Sequence, residues 1–194
     1  RKLLSAFVNV CLAIDFAHSR GVLHRDLKPS NVMVGDFGEV YVLDWGIAKL
    51  VGDTPTASAH GGGANESRYA TQHGVMLGTI GYMAPEQLRG EAVDARADVY
   101  ALGVVLFELL TSEPLHLGDT LSELSTSTLS DASARIRERC RVHEIPPELE
   151  AICVRATAPD PSARHPSARS VSAAIERFLD GDREFPTICG TGTE

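Results

Sequence analysis

Between Asp98 and Thr111 the chain carries a single charge, Glu108; the run Val99-Tyr100-Ala101-Leu102-Gly103-Val104-Val105-Leu106-Phe107-Glu108-Leu109-Leu110 is apolar on every side of a helical wheel. A helix without a polar face cannot lie on a surface, so it has to be the centre of a core that other elements enclose. Its uninterrupted apolar part, Val99 to Phe107, is too short to cross a bilayer, and no membrane span is expected in this segment. With 43% hydrophobic residues, the chain has enough apolar side chains to build that core.

The enclosing elements are legible as amphipathic stripes. Leu3, Phe7, Val10, Ile14 and Ala17 recur at helical spacing and predict a first helix ending near Ser19-Arg20, with Gly21 as its stop. Leu149, Ile152, Cys153 and Ala156 predict a helix starting near Pro147, and Val171, Ala174, Ile175, Phe178 and Leu179 another from about Ser167, capped by Gly181. Leu121 to Cys140 reads as helical but poorly defined, and Arg183 to Glu194 as a tail. The chain opens on Arg1, without a capping residue, inside the first amphipathic repeat, so it is expected to be the C-terminal part of a longer one.

Two β-rich runs interrupt the helices. Val32-Met33-Val34 and Val40-Tyr41-Val42-Leu43, on either side of Gly35-Asp36-Phe37-Gly38-Glu39, predict a hairpin. A turn centred between Phe37 and Gly38 sets Val32 opposite Leu43 and Asn31 opposite Asp44, bringing an amide oxygen and a carboxylate to one end of the ladder. From Val51 to Gly74 the composition turns to Gly, Ala, Ser, Thr and His, including Gly61-Gly62-Gly63, which predicts a mobile loop with His60 and His73 solvated.

Charge and cysteine usage narrow the function classes. Lys and Arg total 18 against 26 Asp and Glu, a net charge of −8, so there is no basic excess to neutralise a nucleic acid. Cys11, Cys140, Cys153 and Cys189 form no close pair, which signals neither a zinc site nor a disulfide framework and favours a reducing, cytoplasmic setting.

The chemistry is concentrated ahead of the hairpin. His24-Arg25-Asp26-Leu27-Lys28-Pro29-Ser30-Asn31 fits the pattern H-R-D-L-x-x-x-N at every specified position, Asp44-Trp45-Gly46 follows, and Ala84-Pro85-Glu86 comes later. In order and interval this set resembles the protein kinase superfamily, and Lys28-Pro29 its Ser/Thr branch; Asp44-Trp45-Gly46-Ile47-Ala48-Lys49 and Ala84-Pro85-Glu86-Gln87 look like its bacterial members. The resemblance spans roughly Leu3 to Leu179 and implies an α+β, mainly α fold: the large, C-terminal lobe of a kinase domain over residues 1–180, with 181–194 a tail. No Gly-x-Gly-x-x-Gly occurs, so the small lobe is expected to be missing from this segment and to be supplied by earlier residues of the same chain. Bacterial relatives often carry a membrane anchor beyond the kinase domain, which would lie outside this segment.

The resemblance implies transfer of the γ-phosphoryl group of ATP, with Mg2+, to Ser/Thr hydroxyls of a protein substrate. Such transfer needs a group to take the hydroxyl proton, the role implied for Asp26, and a cation at the γ-phosphate, the role implied for Lys28. Asn31 and Asp44 would hold magnesium through hard oxygen atoms, and Met33 would lie under the adenine ring. Arg25 stands where relatives pair a phosphorylated activation-segment residue, for which Thr71 is preferred over Ser67, Thr56 and Tyr69; Thr79 would bridge Asp26 and Lys28. Asp98 looks like a buried acceptor for catalytic-loop amides, and Arg164 like the partner of Glu86. Trp45 departs from the family's usual Phe and has to fit a larger ring, with an N–H to satisfy, beside His24. The rival reading is a pseudokinase or scaffold that binds without transferring; the presence of Asp26, Lys28, Asn31 and Asp44 together speaks against it.

Overall fold

The structure, a computed structural model, describes residues 1–45, 49–50, 79–130 and 145–181. The loop expected over 51–74, with Thr71 in it, lies outside the described residues, as do Gly46 and all of the expected tail but Gly181. The elements run α1 (Lys2–Ser19), β1 (Val22–Leu23), a 3-10 turn (Pro29–Asn31), β2 (Val32–Val34), β3 (Val40–Val42), β4 (Lys49–Leu50), α2 (Pro85–Leu88), α3 (Ala95–Thr111), α4 (Leu121–Leu129), α5 (Pro147–Ala156), a second 3-10 turn (Pro161–Ala163) and α6 (Ala168–Gly181).

Helix α3 is the central one. Asp94 caps it by accepting from the Arg96 N–H at 2.7 Å, every residue from Ala97 to Phe107 is buried, and Ser112 ends it in the left-handed region at φ 58°. Gly103 is required where α5 crosses: a Cβ there would stand 2.6 Å from the Ala156 Cβ and 2.8 Å from the Thr157 Cγ2. Helix α5 buries Leu149, Ile152, Cys153 and Ala156, the four residues of its apolar stripe. Helix α6 buries Val171 and Ile175, with Ala174, Phe178 and Leu179 half-buried at the core's edge. Helix α1 is long and apolar enough to span a bilayer by those two criteria, yet it packs on α3 and α6 through Leu4, Phe7, Val8, Val10, Cys11 and Ile14. Its stripe differs from the expected one at Leu3, which is exposed; Leu4 takes the buried place, since Leu4, Phe7, Cys11 and Ile14 keep the 3.6-residue period.

The hairpin forms, but its register differs by one residue from the expected pairing. Val32 pairs Val42, Met33 pairs Tyr41 and Val34 pairs Val40. Gly38 accounts for the slip: it donates to the Gly35 carbonyl at 3.1 Å and adopts φ +92°, a type I turn followed by a left-handed glycine, so the loop is odd-numbered and centred on Phe37. Asn31 therefore faces Leu43, whose N–H donates to the Asn31 carbonyl at 2.8 Å, and Asp44 lies one residue beyond the expected pair. A second two-stranded sheet, β1 with β4, pairs Val22 with Leu50 and Leu23 with Lys49; two-residue strands give no alternation to read in a sequence.

Beside α5 and α6, His165 is only 5% exposed, and burial, followed by the Arg155 and Arg177 charges, lowers its pKa to about 4. Its folded pKa lies below the unfolded value near 6.5, so its contribution to stability is intact above that pH and is lost as pH falls through 6.5 towards 4. Chemical denaturation at pH 7 and pH 5 should show a lower midpoint at pH 5, and His165→Phe should reduce that difference; an undiminished difference would assign the acid sensitivity to other groups.

Candidate active site

The segment between β1 and β2 is irregular, and its backbone is held by a carboxylate from the central helix. Asp98, 1% exposed in the first turn of α3, accepts from the Arg25 N–H through Oδ1 at 2.8 Å and from the His24 N–H through Oδ2 at 2.8 Å. The same Oδ2 accepts from His18 Nε2 at 2.7 Å, a contact the sequence reading did not include. Charge-assisted bonds of this kind are the strong ones; two of them fix the loop to the core through a buried carboxylate, and the third ties that carboxylate to α1. Arg25 itself adopts φ +67°, a strained conformation for a residue with a side chain.

His24 ties that loop to the hairpin. Its Nε2 donates to the Leu43 carbonyl at 3.0 Å and its Nδ1 accepts from the Asp26 N–H at 3.3 Å, so the two contacts select one tautomer. Trp45 stacks at a tilt against it, with ring centroids 4.6 Å apart, and donates its indole N–H to the Val42 carbonyl at 3.0 Å. The larger ring is thus accommodated with its polar atom satisfied.

The side chains converge around Asp26. Lys28 Nζ donates to Asp26 Oδ2 at 2.9 Å and to Thr79 Oγ1 at 2.8 Å, so the lysine is the link between the loop and the segment that leads to α2. Asn31 Nδ2 donates to the Asp26 carbonyl at 2.8 Å and to Asp26 Oδ2 at 3.3 Å. Both of those neighbours are acceptors, which fixes the amide's orientation and turns the Asn31 side-chain oxygen the other way. Asp44, exposed and at φ +60°, follows the last ladder position. An amide oxygen and an exposed carboxylate are hard ligands that suit magnesium, which takes one or two protein groups and fills its octahedron with water and phosphate.

The remaining expected residues are placed as follows. Met33, 57% exposed, lies opposite Tyr41 on the outward face of the hairpin. Glu86 and Arg164 form a bidentate buried pair, with Nη1 to Oε1 at 2.6 Å and Nη2 to Oε2 at 2.8 Å. Tyr82, in the segment between Thr79 and α2, donates its hydroxyl to Glu108 Oε2 at 2.5 Å, and burial together with that carboxylate pushes the phenol's pKa up.

A family model described as protein kinase domain matches residues 1–174. The chain is 37% identical over 186 residues to the serine/threonine-protein kinase PknB of Mycolicibacterium smegmatis, covering 93% of this chain and 27% of that protein. It is 34% identical over 187 residues to PknB of Mycobacterium tuberculosis strain H37Rv, covering 94% and 27%, and 32% identical over 195 residues to the serine/threonine-protein kinase PknD of Protochlamydia amoebophila, covering 99% and 20%. The chain thus spans about a quarter of the length of these curated relatives. Buried anchor, polar cluster and matched length agree, and the chain belongs to the protein kinase family, on its serine/threonine branch.

Proposed function

We propose that the full-length protein transfers the γ-phosphoryl group of ATP to Ser and Thr hydroxyls of other proteins, in the cytoplasm, and that residues 1–180 are the large lobe of its kinase domain. The observation that carries this reading is the Asp26–Lys28–Thr79–Asn31 cluster on a loop whose backbone hangs from Asp98. Asp26 takes the proton of the attacking Ser or Thr hydroxyl, and the hydroxyl oxygen forms the new bond to γ-phosphorus as the bond to the bridging oxygen breaks and ADP leaves. Lys28, 2.9 Å from Asp26 Oδ2, supplies positive charge for the γ-phosphate. Asn31 and Asp44 are the residues that would hold Mg2+, which when bound neutralises charge on the phosphates. Thr79 keeps Lys28 beside Asp26 and marks where the acceptor peptide begins to dock.

The outward face of the hairpin supports the lobe assignment. Met33, Tyr41 and Leu43 are 57%, 56% and 40% exposed, an apolar surface suited to the adenine ring and to a small lobe from the same chain. Arg25 supports a regulatory phosphate: its Nε is buried and has no hydrogen-bond partner among the described residues. We assign that phosphate to Thr71, and phosphopeptide mapping of the active protein should find it there; phosphate only at other positions would reassign the site.

The test of the whole reading is transfer from labelled ATP, with Mg2+, to a general acceptor protein by the full-length protein, followed by phosphoamino-acid analysis. Phosphoserine or phosphothreonine is expected. No transfer would overturn the proposal, and phosphotyrosine alone would overturn the choice of acceptor.

A further inference from the structure

We propose that Gln87 is a positioning residue for the catalytic loop, holding the backbone turn that presents Asp26. This rests on the kinase reading above. The Gln87 side chain touches two separate segments: Oε1 accepts from the Ala84 N–H at 3.0 Å, and Nε2 donates to the Arg25 carbonyl at 3.0 Å. One partner is a donor and the other an acceptor, so the amide has a single orientation and both of its ends are in use.

The second contact falls on the most strained residue of the loop. Arg25 holds φ +67°, and Asp26 is the next residue. The Arg25 N–H is fixed by Asp98 Oδ1 at 2.8 Å, so Asp98 holds one end of this residue and Gln87 the other. Without the carboxamide, the peptide between Arg25 and Asp26 would be free to rotate towards an unstrained conformation, carrying the Asp26 carboxylate with it. Gln87 is itself on a fixed support, because its neighbour Glu86 is bound by Arg164 at 2.6 and 2.8 Å. A chain of direct bonds therefore runs from the buried Arg164 through α2 to the residue before Asp26.

The first contact alone would be an ordinary helix cap, and Gln or Glu at the third helical position serves that purpose equally. Gln87→Glu separates the two roles. It preserves an oxygen for the Ala84 N–H but turns the other oxygen against the Arg25 carbonyl, replacing a bond by a repulsion.

In the full-length protein, Gln87→Glu should lose less thermal stability than Gln87→Ala and stay folded at the assay temperature, while kcat falls between about tenfold and a hundredfold and the KM for ATP stays within about twofold. Amide hydrogen exchange over residues 24–27 should quicken in the same variant, a readout that needs no activity. Gln87→Ala should lose both kcat and thermal stability. Wild-type kcat and unchanged exchange in Gln87→Glu would overturn the proposal, and so would a loss of activity that merely follows a lowered melting temperature. Wild type and Asp26→Asn run in parallel keep the two readings apart: no transfer by the wild type defeats the kinase reading, whereas a transferring wild type and an inactive Asp26→Asn beside a fully active Gln87→Glu defeat only the role of Gln87.

Discussion

Arg164→Met should lower unfolding stability by about 3–5 kcal/mol, the usual cost of leaving one member of a buried ion pair without the other. The guanidinium is 2% exposed and all five of its N–H groups are in use: Nε on the Ala158 carbonyl at 2.7 Å, Nη1 on Glu86 and on the Arg96 carbonyl at 2.9 Å, Nη2 on Glu86 and on the Pro159 carbonyl at 3.1 Å. Its plane also lies 4.9 Å from the centre of the Tyr100 ring. Removing it strands the Glu86 carboxylate, 4% exposed, and takes a donor from the Ala158 and Pro159 carbonyls ahead of the second 3-10 turn and from the Arg96 carbonyl in α3. Adding Glu86→Leu should recover part of the loss, since it removes the stranded charge, but not all, because the Ala158 and Pro159 carbonyls still lack the donor that Arg164 gave them. Denaturant unfolding of the single and double variants measures both effects; a single variant within about 1 kcal/mol of wild type would show that the pair does not hold the two segments together.

Much of this arrangement was legible in the residues, for reasons that differ by element. Helix α3 announced itself because an all-apolar run admits only a central position. The stripe expected for α5 is the one it buries, and that of α6 is buried at Val171 and Ile175 and half-buried at Ala174, Phe178 and Leu179, since each helix offers several turns of unbroken period. The link between Asp98 and the amides of His24 and Arg25, and that between Arg164 and Glu86, were expected from the family resemblance alone. No local pattern joins residues so far apart in sequence, and the distances now give each a physical basis. The hairpin register differs by one residue from the expected one because both faces are apolar, Val32, Val34, Val40 and Val42 on one and Met33, Tyr41 and Leu43 on the other, and the turn's length depends on whether Gly38 adopts a positive φ. The β1–β4 sheet, the His18 contact to Asp98 and the Gln87 contact to Arg25 had no sequence signal at all: each is a single long-range pairing that exists only once the core has brought its partners together.

Asp26→Asn should leave the protein folded and reduce kcat by about 10²–10⁴-fold, the range expected for removal of a positioned proton acceptor. The substitution is close to isosteric, and the backbone that carries residue 26 is held independently by Asp98 and His24, so the loop has no reason to move. What changes is the chemistry at Oδ2, which accepts from Lys28 Nζ at 2.9 Å and from Asn31 Nδ2 at 3.3 Å. A carboxamide can offer only one oxygen, and with that oxygen turned to Lys28 it places an NH2 group where the attacking hydroxyl would have to release its proton. The KM for ATP should stay within about threefold of wild type, because the loss falls on proton acceptance and not on the groups assigned to phosphate and magnesium. Asp44→Ala should give the contrasting pattern, a steep rise in the Mg2+ concentration needed for half-maximal rate, since it removes the exposed carboxylate assigned to the metal. Steady-state kinetics over a range of ATP and Mg2+ concentrations distinguish the two patterns. An Asp26→Asn protein that turns over at the wild-type rate would require the proton to leave by another route and would move the centre of this site away from the His24–Asn31 loop.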